Sequence, residues 1–145
     1  MVIALSSPVL VGIYKDGELI DSYKKESQTS EILPVIFEEI LHKYEIKRLF
    51  YTRGPGSFMA IKVTYLFLKT LSIVKDIKLL ATEGFSFNEN RPIRALKKVY
   101  FVKNNDKIVT KIYKDEIEQK FFLPKTLDEE IFSEEIEPLY VLPAV

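Results

Sequence analysis

Two apolar runs open the chain. Val2-Ile3-Ala4-Leu5 and Val9 to Tyr14 are rich in β-branched residues and are parted by Ser6-Ser7-Pro8, a pattern that predicts strands. Lys15-Asp16-Gly17-Glu18 supplies an Asp-Gly turn, a strong short-range hairpin signal. Leu19 to Tyr23 then returns as a third strand, so the chain is expected to start as a three-stranded antiparallel unit. After that the period changes. Leu33, Ile36, Ile40 and Tyr44 recur at helical spacing, with Phe37 and Leu41 beside them and Ile32 and Val35 widening the arc. Ser27-Gln28-Thr29-Ser30-Glu31 offers several N-cap side chains, and Pro34 sits in or near the first turn, where its missing N–H costs least. A first helix from Ser30 to Tyr44 is expected, with an apolar arc wider than packing on one sheet requires.

Lys47 to Thr52 reads as a strand, Arg53-Gly54-Pro55-Gly56-Ser57 as a sharp turn, and Ser57 as the next N-cap. Phe58 to Val74 holds enough Ile, Val and Thr to favour strand by propensity, but its length decides for helix. Ile77 to Ala81 follows as a strand. The resulting order, β-β-β-α-β-α-β, is that of a ribonuclease-H-like half domain, an α/β fold. Asn88 to Pro92 is a linker. Val99 to Val102 and Ile108 to Tyr113 flank Asn104-Asn105-Asp106 and read as a hairpin. Ile117 to Leu123 is expected as a short strand or extended segment, Leu127 to Phe132 as a short helix, and Pro138 to Leu142 as an extended end.

Composition narrows the chemistry. With 145 residues, 47% hydrophobic and 29% charged, the chain is globular and sized for one domain or two small lobes. It has no cysteine, which excludes a disulfide scaffold, a zinc–thiolate site and a thiol nucleophile. A single histidine, His42, excludes a multi-histidine metal cage; late in the first helix it reads as a surface residue rather than a catalytic one. Lys plus Arg is 21 and Asp plus Glu is 21, a balance that argues against charge-driven nucleic-acid binding. Locally the balance breaks. Arg94 to Lys114 holds seven basic residues and one acid, and Asp115 to Glu137 holds nine acids and two lysines. Either the two segments neutralise each other or stay solvated, or they form a bipolar surface that orients a partner. Met1-Val2-Ile3 lacks a basic leader region, and Lys62 and Lys69 interrupt the most apolar stretch. Neither a signal peptide nor a membrane span is expected, and the chain reads as cytoplasmic.

Candidate chemistry is sparse. Gly54-Pro55-Gly56-Ser57 at a helix start could favour an anion, yet it has no lysine and no Gly-x-Gly-x-x-Gly spacing, so a tight turn that permits close packing is the simpler reading. Ser6-Ser7 stands at the first strand tip, where a magnesium ion would need carboxylates. Asp16 and Asp21 read as turn and surface residues. No catalytic, metal or cofactor residue is assigned. In the second helix Lys62 and Lys69 mark one narrow stripe with Tyr65 between them and Phe58, Leu66 and Ile73 beside them. That stripe is expected to face outward, with Val63, Phe67 and Leu71 toward the sheet. A helix so apolar is either clamped between sheet and first helix or presents an apolar surface to another protein.

Arg53-Gly54-Pro55-Gly56-Ser57-Phe58 resembles the Arg-Gly-Pro-Gly-Ser-Phe-Thr-Gly signature of the TsaB (YeaZ-like) family. Ser30-Glu31-Ile32-Leu33-Pro34 resembles that family's His-Ser-Glu-x-Leu-Leu-Pro helix start, Val2 to Ser7 its Ile-Leu-Ala-Ile-Asp-Thr opening, and Pro138 to Leu142 its terminal Pro-x-Tyr-Leu-Arg. The resemblance implies an actin-like ATPase (ASKHA) fold. Residues 1–87 would be the ribonuclease-H-like subdomain with the docking helices, and 88–145 a truncated second subdomain of β-hairpin and acidic tail. It also implies a non-catalytic partner of TsaD, the subunit that transfers threonylcarbamoyl to adenosine 37 of tRNA, with the ATPase TsaE in the larger assembly and tRNA met only indirectly. The family's two N-terminal helices contact TsaD and can also form a homodimer. Carried onto this chain, the interface would comprise Ile32, Val35, Glu39, Phe58, Lys62, Tyr65, Leu66, Lys69 and Ile73, beside the motif turn Arg53, Gly54, Pro55, Gly56 and Ser57. Departures are Ser6 for the strand aspartate, Thr29 for the helix-start histidine, Met59-Ala60-Ile61-Lys62 for Thr-Gly-Val-Arg, Thr82-Glu83-Gly84-Phe85 for a Ser-Ser-Leu turn, and a shorter chain. The alternatives are a nucleotide-binding enzyme of the actin-like class and an unrelated homodimeric domain.

Overall fold

The computed structural model describes residues 1–141. Strands β1 (Val2–Ile3), β2 (Val9–Lys15) and β3 (Glu18–Lys25) form the expected antiparallel start, and Asp16 (φ 53°) and Gly17 (φ 82°) make its two-residue hairpin turn. Helix α1 (Thr29–Lys43), strand β4 (Arg48–Gly54), helix α2 (Phe58–Lys75) and strand β5 (Lys78–Glu83) follow. The sheet order is β3-β2-β1-β4-β5, with β1–β4 and β4–β5 parallel.

Both faces of this sheet are covered, and the sequence shows why. The first five residues of β2 are all buried, as a central strand without polar alternation requires. Val2, Val11, Leu49 and Tyr51 pack under the helices with Leu33, Ile40 and Leu68. On the opposite face, Ile3, Leu10 and Phe50 meet Phe87, Leu127 and Phe132. Among the described residues no long helix lies there. The cover is the 3-10 turn Gly84–Phe87 and the C-terminal segment, whose own regular structure is the 3-10 turn Glu129–Ile131.

That segment is a belt. The Leu127 N–H donates to the Gly17 carbonyl at 2.8 Å, and Ser133 and Ala81 exchange two backbone bonds of 2.9 Å along β5. The Leu139 N–H reaches the Arg53 carbonyl at 2.8 Å. Two tyrosine hydroxyls fasten it further, half-buried Tyr14 to the Pro124 carbonyl at 2.6 Å and Tyr51 to the Ile136 carbonyl. Burial pushes the Tyr14 hydroxyl up to about 12 and raises that of Tyr51 as well.

Strands β6 (Ile93–Leu96), β7 (Val99–Asn104) and β8 (Lys107–Ile112) form a second antiparallel sheet. Its Ile93 and Phe101 pack on Leu5, Ile61 and Phe85, which joins it to the end of β1 and the start of α2.

Four expectations need correction. β6 was not foreseen, because four residues interrupted by Arg94 carry too little periodicity. The α1 N-cap is Gln28 without a side-chain bond, and the first amides use its carbonyl instead. Leu127 to Phe132 yields only a 3-10 turn, whereas 117–123 takes the extended form, one of the two expected for it. The charged segments barely meet: among the described residues Arg94–Glu116 at 3.4 Å is the ion pair between them. The acids of the belt instead pair with the first sheet, Glu129 with Arg48 (3.0 Å), Glu134 with Lys78 (2.6 Å) and Glu135 with Arg53 (3.6 Å). The hydrogen bond to Lys78 holds the Glu134 carboxyl below its usual range. Leu142, the last residue of the expected extended end, lies outside the described residues.

Candidate docking face

Helices α1 and α2 lie side by side on one face of the sheet, with the rings of Phe37 and Phe67 at 5.4 Å between them. Ile61, Thr64 and Leu68 are the buried residues of α2, one helical step away from the expected Val63, Phe67 and Leu71. Phe67 and Leu71 are half-buried instead, and Phe67 packs toward α1. Tyr65 is therefore not on the outward stripe: it is half-buried against the core, with its ring 6.4 Å from that of Tyr51. Lys62 is exposed and Lys69 half-buried. A lysine can keep its ammonium in water while its stem lies along apolar surface, so the two lysines fixed the outward direction only loosely.

The outward side is nonetheless apolar. Leu66 is 53% exposed and Ile73 68%, and Val35 on α1 is 65% exposed. Sequence reasoning missed Met59 and Val74, which are 72% and 73% exposed; both were in view as helix positions beside Phe58 and Ile73. Phe58 is exposed in part and sets its ring edge-on to Tyr140 at 5.3 Å. Glu39 is exposed and pairs with Lys43 at 3.0 Å, and Ile32 is half-buried on the core.

The glycine motif performs a packing task. Gly54 (φ 132°) leaves 2.8 Å between an ideal Cβ position and the Leu139 carbonyl oxygen, so the end of the belt passes where any side chain would stand. Gly56 likewise lies against the Leu5 backbone, 3.0 Å from a Cβ position. Arg53 donates through Nε to the Glu137 carbonyl at 2.7 Å, which ties the motif to the belt. Ser57 caps α2 by accepting from the Ala60 N–H at 3.5 Å.

Other candidates disperse. His42 is exposed at the end of α1, and Asp21 accepts from the Tyr44 hydroxyl at 2.9 Å. Among the described residues no group of His, Asp and Glu could hold a metal ion, and no helix is long and apolar enough to cross a membrane. Ser6, Ser7 and Ser57 line a cleft of about 1040 Å³ between the first sheet, α2 and β6.

No protein-family model matches the chain, and no curated protein matches its sequence. Solved structures do match. YeaZ from Pseudomonas aeruginosa superposes with a TM-score of 0.60 at 11% identity, over 76% of this chain and 61% of that one. A crystal structure of an uncharacterized protein with similarity to peptidase YeaZ from Pseudomonas aeruginosa gives 0.61 at 11% identity, over 82% of this chain and 68% of that one. The chain thus spans less than two thirds of the first of these structures, and identity at this level speaks for the fold alone. Over the greater part of its length the chain carries the fold of YeaZ, the TsaB protein.

Proposed function

We propose that this chain is a non-catalytic scaffold or activator subunit of the bacterial assembly that makes N6-threonylcarbamoyladenosine at position 37 of tRNA. In this reading it is cytoplasmic and docks TsaD through the outward side of α1 and α2. TsaE joins the larger assembly, tRNA is met through the complex, and a homodimer can use the same helices. The fold belongs, on this proposal, to the actin-like class, with 1–87 as its first subdomain and 88–145 as a reduced second one. The observation that carries the reading is the unpartnered apolar side of the helix pair. The inner sides of the helices already cover the sheet, so Val35, Met59, Leu66, Ile73 and Val74 contribute little to the fold where they stand. Large side chains exposed together on one layer mark an interaction surface. The test is calorimetry of the chain with TsaD, comparing the parent with Leu66→Glu and Ile73→Glu. Loss of about tenfold or more in affinity is expected for each, as at an interface hot spot. Parent affinity in both variants would place the docking surface elsewhere.

A second reading, a nucleotide-binding enzyme, draws on the cleft at the β1 tip and the α2 N-terminus. Titration with ATP and magnesium separates the two. Weak or no heat is expected, because Ser6 and Ser7 offer hydroxyls where a divalent cation takes carboxylates. Micromolar binding with turnover would put the enzyme reading first.

A further inference from the structure

The small sheet carries a cationic tip whose charges find no acids. Lys97 and Lys98 form the tight β6–β7 turn, across which Leu96 pairs with Val99. The Tyr113 N–H donates to the Lys98 carbonyl at 2.9 Å, which brings Lys114 up beside that turn. Lys111 stands one row inward, opposite Tyr100. All four lysines are exposed, and among the described residues none of them forms an ion pair. The acids next to them in the chain are Asp115 and Glu116, and Arg94 holds Glu116.

An apolar row runs beside Lys97, Lys98 and Lys114, on the sheet face opposite to that of Lys111. Leu96, Val99 and Ile112 are cross-strand neighbours, with Leu96 64% and Ile112 82% exposed, and none of the three belongs to a core cluster. Leu96 also lines the cleft of about 1040 Å³, together with Leu5, Phe58, Ala95, Phe101 and Ile117. On the same wall, Arg94 keeps its Nε buried and without an acceptor. The cleft is therefore largely apolar and meets the lysine turn through Leu96, while Glu116 and Glu118 stand on its wall.

We propose that the cleft and the lysine tip together receive a segment of a partner protein that alternates apolar side chains with carboxylates. The apolar side chains fill the cleft and cover the Leu96–Ile112 row. The carboxylates meet Lys97, Lys98 and Lys114 beside that row. Two features favour such a segment over nucleic acid. The exposed row is aliphatic and gives no ring on which bases could stack. Glu116 and Glu118 on the cleft wall repel phosphate and carboxylate alike, and an alternating segment can enter the cleft by its apolar side chains alone while its carboxylates stay at the lysine turn. The inference does not rest on the helix-face reading, since the lysine tip and the Leu96 row lie on the other sheet.

The test is fluorescence anisotropy of the full chain with a labelled peptide of about twelve alternating glutamates and leucines. Polyglutamate and oligouridine of equal length are the comparators. Binding of the mixed peptide is expected to exceed both by about tenfold. It should weaken severalfold as salt rises from about 50 to about 200 mM. Leu96→Ser, and Lys97→Glu with Lys98→Glu, should each lower affinity about tenfold. No binding would overturn the proposal, and so would equal binding of polyglutamate or oligouridine, or parent affinity in the variants. Displacement by ATP with magnesium would reassign the cleft to a small molecule. Self-association that Lys97→Glu with Lys98→Glu abolishes, seen by sedimentation velocity, would replace the partner protein by a second copy.

Discussion

Phe132→Ala asks what holds the acidic belt on the sheet. Phe132 is 8% exposed, stands edge-on to Phe50 at 4.8 Å, and lies 6.2 Å from Phe87. Removing a buried phenylalanine side chain costs about 3–5 kcal/mol, of which each aromatic pair accounts for about 0.5–1.5. The belt has little regular structure and can sink partly into the hole, so the lower end, about 3 kcal/mol, is expected. The competing account is electrostatic. Arg48–Glu129 and Arg53–Glu135 join belt to sheet at 3.0 and 3.6 Å, and each has at least one well-solvated partner. Such pairs contribute about 0–1 kcal/mol and are screened by salt. The apolar contact should therefore dominate. Thermal unfolding followed by circular dichroism should show a midpoint lower by about 10 °C in Phe132→Ala, from the entropy of unfolding of a chain this size. Salt at about 0.5 M should move the parent midpoint far less. Amide exchange at Ser133 and Ala81, which bond each other across β5, should quicken in the variant. A midpoint shift under about 3 °C, or a salt effect as large as that of the substitution, would refute the reasoning.

Three further outcomes are expected. Gly54→Ala sets a Cβ 2.8 Å from the Leu139 carbonyl at a φ of 132°, and should cost about 2 kcal/mol in urea unfolding; an unchanged midpoint would show that the end of the belt is not seated there. Tyr65→Glu places a carboxylate against the core beside Tyr51 and should cost about 2 kcal/mol, whereas Leu66→Glu, 53% exposed, should stay within about 0.5; the reverse order would restore the outward placement of Tyr65. The Tyr14 hydroxyl, half-buried and bonded to the Pro124 carbonyl, is pushed up to about 12 in the folded chain against 10.0 unfolded. Its stabilising contribution is complete below pH 10 and is lost as pH rises through about 12, so Tyr14→Phe should flatten that limb of the stability–pH profile.

What the sequence disclosed was what is decided locally. The Asp16-Gly17 turn, the Ser57 cap and the length of α2 each rest on residues within a few positions of one another. β6 and the belt rest on partners far along the chain. Phe132 finds Phe50, Ile136 finds Tyr51 and Leu139 finds Arg53, and no period in 113–141 announces those meetings. The facing of α2 failed for another reason: its apolar residues occur nearly all round, so two lysines had to decide the direction, and Lys69 is half-buried.

The burial of the first two strands requires the belt. Val2 to Leu5 and Val9 to Ile13 are all buried without alternation, except at the Ser6-Ser7-Pro8 break. Strands of that kind need cover on both faces. Two helices can cover one face, and both lie on the same one. The second face must then be closed by whatever apolar residues remain, and Phe87, Phe121, Leu123, Leu127 and Phe132 close it. With both faces occupied, neither the core nor the belt accounts for the exposure of Val35, Met59, Leu66, Ile73 and Val74. The same accounting that explains the acidic segment as structure thus leaves the outward apolar side chains of the helix pair without a partner among the described residues, which is why the proposed TsaD docking is placed there and not on the acids of the belt.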